Sequence, residues 1–298
     1  MPHRERATHL ALVAGVTLAL VLGTTSVARA GPWAPEAGHG YVKLWLKYLP
    51  GFWFLDAEGE RHDYGGYHEL FLNTYAELGL GERVALVLHA PIVRSFHLED
   101  PRDGSYQSHL SPGDPTLSLR WQFLAADRFV MAANAGVTAP FARPGPVQTF
   151  YGTDEGNPVL GALQIGTGIW DVPMSLSAGY AWDTVYVAAS VGYIFRSDGY
   201  DHVLTWTAEG GATLVAEFGV RGRITGYHSL DVWFGDEAPG HLSPSGIGNG
   251  TNYIGFSVEA DYQFSPSYFV GVTLEGGVFA ITRQTGGPVI SLYFARRF

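Results

Sequence analysis

Two sets of residues in this chain could do chemistry. The first pairs imidazoles with hydroxyls: His228-Ser229, and His241 with Ser243, in a stretch that also holds Asp231, Asp236 and Glu237. A serine nucleophile needs a base within hydrogen-bond reach and a third group orienting that base. Nothing here has the spacing of such a relay. The other loop histidines, His97, His109 and His202, are scattered as solvated side chains are. Asp100, Asp103 and Asp114 lack the spacing of a calcium loop. The run from Ser245 to Gly250 (SGIGNG) has no Lys-Ser/Thr after it, so it is a flexible loop rather than a phosphate cradle. With no cysteine, thiolate–metal chemistry is excluded. The reading is no catalytic residue, no metal ligand, no cofactor and no enzyme.

The second set is charges placed at every other position. Lys43, Lys47, Glu69, Glu77, Arg120, Glu209, Arg221, Arg223, Glu259, Asp261 and Glu275 each alternate with apolar neighbours. Alternation puts two chemistries on two faces of a strand. Residues 253–264 set Ile254, Phe256, Val258, Ala260, Tyr262 and Phe264 against Gly255, Ser257, Glu259, Asp261 and Gln263. Residues 116–123 and 68–78 repeat the pattern. Extended along the chain it predicts twelve strands, near 41–49, 67–78, 84–95, 115–124, 129–139, 169–180, 184–195, 203–213, 218–227, 253–264, 268–280 and 288–298.

Composition agrees. The chain has 298 residues, 46% apolar and 15% charged, with 39 glycines. That is too apolar for disorder and rich in turn formers. The formal charge of −10 argues against a nucleic-acid partner, which draws on a basic surface. Residues 1–30 read as a secretory signal: a basic start, an apolar run from Leu10 to Val21, and Ala28-Arg29-Ala30 before a cleavage point at Gly31. Residues 31–298 would then form one domain. Loss of Arg4, Arg6, Arg29 and Glu5 would leave it 15 Lys+Arg against 27 Asp+Glu, a formal −12.

Connection lengths alternate too. Those near 79–83, 125–128, 181–183, 214–217 and 265–267 are short. Those at 50–66, 96–114, 140–168, 196–202, 228–252 and 281–287 are mostly longer. Tight turns at one end and loops at the other is the plan of an outer-membrane barrel. Trp121, Phe123, Tyr180, Trp182, Tyr262, Phe264, Tyr268 and the terminal Phe298 cluster at the tight-turn end and read as the periplasmic aromatic girdle. A terminal Phe on an amphipathic last strand resembles the signal read by the barrel assembly machinery. The alternative is a soluble barrel with its apolar face inward; twelve strands would leave it a lumen too wide to fill.

With the apolar face toward outer-membrane lipid, Lys43, Glu77, Arg120, Glu209, Arg221, Arg223, Glu259, Asp261 and Glu275 line the lumen. Counting back from the tight turns places Arg221 and Arg223 opposite Asp261 and Glu259, Glu209 opposite Arg223, and Lys43 opposite Glu77. Such a ladder either braces the barrel or sets its selectivity. Phe52, Trp53, Phe54, Phe150 and Tyr151 are candidates for an apolar vestibule at the extracellular mouth; outer girdle and loop packing is the plainer reading.

Three short segments carry a family resemblance. Residues 112–117 (PGDPTL) enter a strand, 135–140 (AGVTAP) end one, and Gly166-Thr167-Gly168 with Asp171 open another. Over about 110–195 this resembles the meta-pathway phenol-degradation family of outer-membrane proteins. Pro115 directly after Gly-Asp, and Ala139 before Pro140, depart from its pattern. The resemblance implies a transporter-like barrel linked to uptake of aromatic or other hydrophobic compounds. Outer-membrane phospholipases also use twelve strands, but no adjacent pair here resembles their serine–histidine arrangement. The expectation is a twelve-stranded outer-membrane barrel of a Gram-negative bacterium that passes small solutes. Its rival is a structural or partner-binding barrel that transports nothing.

Overall fold

The computed structural model describes residues 31–55, 61–99, 106–142, 144–151, 158–215, 217–230, 250–281, 283–285 and 288–298. The expected leader, residues 1–30, lies outside them, as do His241 and Ser243. The alternating segments form twelve strands: β1 Gly40–Leu55, β2 Arg61–Gly79, β3 Val84–Glu99, β4 Thr116–Ala126, β5 Phe129–Thr138 and β6 Asp171–Ala181. They continue as β7 Val185–Arg196, β8 Val203–Val215, β9 Phe218–Ser229, β10 Asn252–Ser265, β11 Tyr268–Ile281 and β12 Val289–Arg297. Each pairs antiparallel with the next, and β12 returns to β1 through Tyr41–Arg297 to Tyr48–Ile290. Closure leaves no unpaired edge, which is what a sheet in hydrocarbon requires.

Exposure decides which face looks out. Leu117, Val258 and Leu292 are 50%, 54% and 62% exposed, whereas Glu69, Arg120 and Asp261 on the opposite parity are buried. The apolar face is the outer one, and the soluble alternative is excluded.

Four connections read as loops carry strand, the last of them Arg283–Thr285, which pairs with β1 at Trp53–Leu55. β1 runs on to Leu55 and pairs up to Arg61, taking in residues 50–55. β3 extends to Glu99 and pairs with a strand at Tyr106–Ser111. Between β5 and β6, Pro144–Tyr151 and Pro158–Gln164 make a separate hairpin. Aromatic and β-branched residues such as Val147, Thr149, Phe150 and Tyr151 favour extended backbone even in a connection. The backbones of Phe52, Trp53, Phe54, Phe150 and Tyr151 therefore lie in strands, and their side chains fall outside the described part.

Register departs from the turn count in two places. Arg221 faces Glu259, and Asp261 faces Gly219, so Arg223 comes opposite Ser257. Lys43 faces Tyr75, and Glu77 faces Tyr41. Glu209 does face Arg223. Both shifted pairs were counted from tight turns that belong to other hairpins, and the stagger of a barrel offsets neighbours that stand equally far from such turns.

Candidate functional site

The polar parity of every strand converges on the barrel interior, and side-chain contacts between non-neighbouring strands run across it. Lys43 on β1 reaches Glu259 on β10 at 2.9 Å, passing over the Tyr293 ring of β12 at 3.7 Å. Arg221 on β9 bridges Glu259 at 3.1 Å and also pairs with Asp261. The Tyr293 hydroxyl donates to Glu259 at 2.7 Å. Lys47 and Glu275 close a second chord, from β1 to β11, at 2.6 Å. Nearer the tight turns, Arg120 on β4 contacts Glu77 on β2 at 2.8 Å and donates to Asn134 on β5 at 3.1 Å.

The remaining expected charges lie beside these. Arg223 donates to Glu209 at 2.6 Å, and Tyr186 donates to the other oxygen of the same carboxylate at 2.5 Å. Gly211 makes this possible, since a Cβ there would lie 2.3 Å from the Tyr186 ring. The Arg223 side chain is 48% exposed although its partner is 6% exposed, so its guanidinium borders open interior space.

The expected charges also lacked Arg196 and Asp171, an inward pair 3.9 Å apart, and the strand pattern hid Arg94. Simple alternation from Val84 points it outward. A bulge at Ile92-Val93 opposite Leu72-Asn73 inserts one residue and turns the rest of β3 over. Its signal is Pro91, which cannot donate to the ladder, followed by two outward apolar residues. Arg94 then pairs with Glu69 at 2.5 Å, stacks on Phe71 at 4.4 Å, and donates to the carbonyl of Ile165.

Chain segments occupy both ends of the interior. At the loop end Tyr67, Phe96, Ala142 and Ile165 form a buried apolar cluster. Asp114 ties that cluster together by accepting from Ala142 N at 2.7 Å and Gly168 N at 3.3 Å. Two of the segments that carried the family resemblance, 112–117 and 166–168, thus meet at one carboxylate, with Ala142 just beyond the third. Gly166 leaves it room: a Cβ would lie 2.0 Å from an Asp114 oxygen. Gly168 takes φ +69°, and Gly113 lies against Pro91.

At the tight-turn end the segment before β1 folds inside, an arrangement with no periodic signal in the sequence. The Trp33 carbonyl accepts from Arg120 at 3.1 Å, and Ala34 N donates to Gln122 at 3.1 Å. The Trp33 ring meets Tyr186 edge-on at 5.6 Å.

Outside, the aromatic residues expected as a girdle stand in contact pairs near the tight turns. Trp121–Phe123, Tyr180–Trp182 and Phe264–Tyr268 lie 5.8, 4.6 and 6.0 Å apart. Tyr262 packs on Phe218 at 4.8 Å, and Phe298 is bonded to Gly40 through both backbone groups. His228 accepts from Trp206 Nε1 at 3.1 Å, which ties it to the sheet rather than to Ser229.

No family model matches the sequence, and no curated protein matches it. Among solved structures, a COG4313 outer membrane channel from Pseudomonas putida F1 superimposes with a TM-score of 0.67 at 14% identity, covering 92% of this chain and 100% of that one. The KdgM porin gives 0.47 at 8% identity, covering 87% and 99%. The Pseudomonas putida toluene transporter TodX gives 0.43 at 8%, covering 94% and 92%. The first likeness carries the fold; the other two are too distant in shape to add to it. With its apolar outer belt, the chain is a twelve-stranded barrel of the outer membrane.

Proposed function

We propose that the protein is a channel for small uncharged solutes, aromatic or otherwise hydrophobic ones among them. The observation behind this reading is the charge balance of the interior. Among the described residues, Lys43, Lys47, Arg94, Arg120, Arg196, Arg221 and Arg223 are matched by Glu69, Glu77, Asp171, Glu209, Glu259, Asp261 and Glu275. Bases already paired with acids leave a passing ion few groups to bind. An uncharged solute needs none. The half-exposed Arg223 marks where the path has width. The aromatic part of the reading also draws on the phenol-degradation resemblance.

The occupied ends favour a second reading, a plugged barrel that serves structure or partner binding. One experiment separates the two. Residues 31–298, refolded into planar bilayers and liposomes, are assayed for ionic conductance and for uptake of phenol against benzoate. Phenol entering faster than benzoate, and above empty-liposome controls, supports the channel. A folded barrel with neither conductance nor uptake supports the plug.

A further inference from the structure

The outer surface carries a histidine–aromatic rim at the loop end that no transport role requires. On one side His68 and His97 face each other across β2 and β3. The Tyr48 hydroxyl lies 2.7 Å from His68 Nδ1, and Tyr106 stacks on His97 at 4.5 Å. Across the barrel, His202 packs on Phe195 at 5.6 Å, and His228 lies beside Trp206. A Cβ at Gly226 would come 2.1 Å from the indole nitrogen, so the glycine is what lets Trp206 lie flat and reach His228.

Neighbours fix the protons on this second side. Trp206 Nε1 can only donate, so His228 must accept at Nε2 and carry its hydrogen on Nδ1. The backbone N–H of Arg196 donates to His202 Nδ1 at 3.1 Å, which leaves the hydrogen on Nε2. Each imidazole, neutral in these bonds, therefore presents its other nitrogen as an N–H donor.

Height identifies what these donors meet. At about 3.3 Å per residue and a tilt of about 40°, His68 above Gly79, His97 above Val84 and His228 above Phe218 stand about 25–30 Å from the tight turns. The apolar band of such barrels is about 25 Å tall, so the rim lies at the headgroups of the outer leaflet. Lys47, Arg94 and Arg196 on the upper strands point inward in pairs, whereas these imidazoles stand on the outward parity, toward the surrounding lipid.

We propose that this rim binds the phosphorylated glycolipid of the outer leaflet, with imidazole N–H groups donating to headgroup oxygens and the flanking aromatic rings covering the upper acyl carbons. The proposal rests on the barrel's place in the membrane and not on what crosses the lumen.

The test uses the refolded barrel in detergent, with bound lipid counted by native mass spectrometry and folding checked by heat-modifiable gel mobility. The probes are phosphorylated glycolipid, the same lipid dephosphorylated, and inorganic phosphate. The variants are H202F/H228F and H68F/H97F, which keep ring volume and remove the donors. The expected result is phosphorylated lipid retained on both sides of the wild type; each double variant loses about half of the counted lipid, because the affinity of the altered side falls about tenfold, the effect of losing about one charge-assisted hydrogen bond. Equal retention of the dephosphorylated lipid, full competition by inorganic phosphate, or unchanged retention in folded variants would overturn it. If H202F/H228F fails to fold, Trp206→Phe, which frees His228 Nε2 while keeping the His202 donor, gives the second reading of the same site.

Discussion

Arg94 and Ile165 are joined by a hydrogen bond from a guanidinium on β3 to a carbonyl in the connection between β5 and β6, 71 positions along the chain. The same guanidinium neutralises Glu69, and the two side chains are 11% and 3% exposed. One cation therefore holds the loop-end cluster in place and keeps a buried carboxylate paired.

Arg94→Met leaves Glu69 buried with only Tyr67 as a donor. Breaking a buried pair from one side costs about 3–5 kcal/mol. A denaturant melt should show that loss, and R94M/E69L should recover most of it. Equal stabilities for R94M and the double variant would mean that the pair is not what fixes the cluster.

Gly166→Ala tests the packing around Asp114 directly. The new methyl meets a carboxylate oxygen and the Ala142 side chain, an overpacking that costs about 1–3 kcal/mol. Thermal unfolding should report it, whereas Gly81→Ala, with open space around it, should be neutral.

Arg221 and Lys43 share Glu259 but not equally. Arg221→Met strips one partner from Glu259 and the paired base from Asp261, while Lys43→Met leaves Glu259 held by Arg221. The Arg221 variant should be the less stable of the two by urea titration. It also leaves the interior one negative charge in excess, so the reversal potential in a salt gradient should move toward cation preference. Arg223→Ala leaves the buried Glu209 held by the Tyr186 hydroxyl and should be less costly than Arg221→Met in the same titration.

Removing residues 31–36 takes the Trp33–Ala34 segment out of the tight-turn end. Single-channel conductance should rise, and the radius measured by polymer exclusion should widen. The gel mobility of the folded form should stay as it is, since β1 begins at Gly40. Unchanged conductance in a folded barrel would mean that the segment is not the narrow point.

Most of the barrel was legible because a two-sided strand in a membrane has to alternate, and because tight turns and long loops sit at opposite ends. β8 was readable even through Gly210-Gly211; the glycines weakened the pattern only because Gly211 gives its space to the Tyr186 ring. What stayed hidden was what alternation does not encode. The bulge after Pro91 reversed the parity of Arg94 without changing composition. Barrel stagger set Arg221 opposite Glu259 rather than Asp261 in register, although its side chain pairs with both, since turn counting carries no information on shear. The segment around Trp33 is held by one carbonyl, one amide and one ring edge, none of which leaves a period. The glycine-based motifs gave a resemblance but no reason for it. Part of their reason is spatial: Asp114 of the first closes on Thr167 and Gly168 of the third, far along the chain.

Gly40 and Phe298 exchange both backbone hydrogen bonds where the first strand meets the end of the last. Residues 32–34 lie inside the ring that this seam completes. Once that seam is closed the wall admits no sideways entry, so the segment takes its seat either before sealing or through the tight-turn mouth, and nowhere else. A globular tag fused to Gly31 should therefore hold the segment out of the interior and raise conductance, whereas the same tag spliced within residues 56–60, between β1 and β2, should leave it seated.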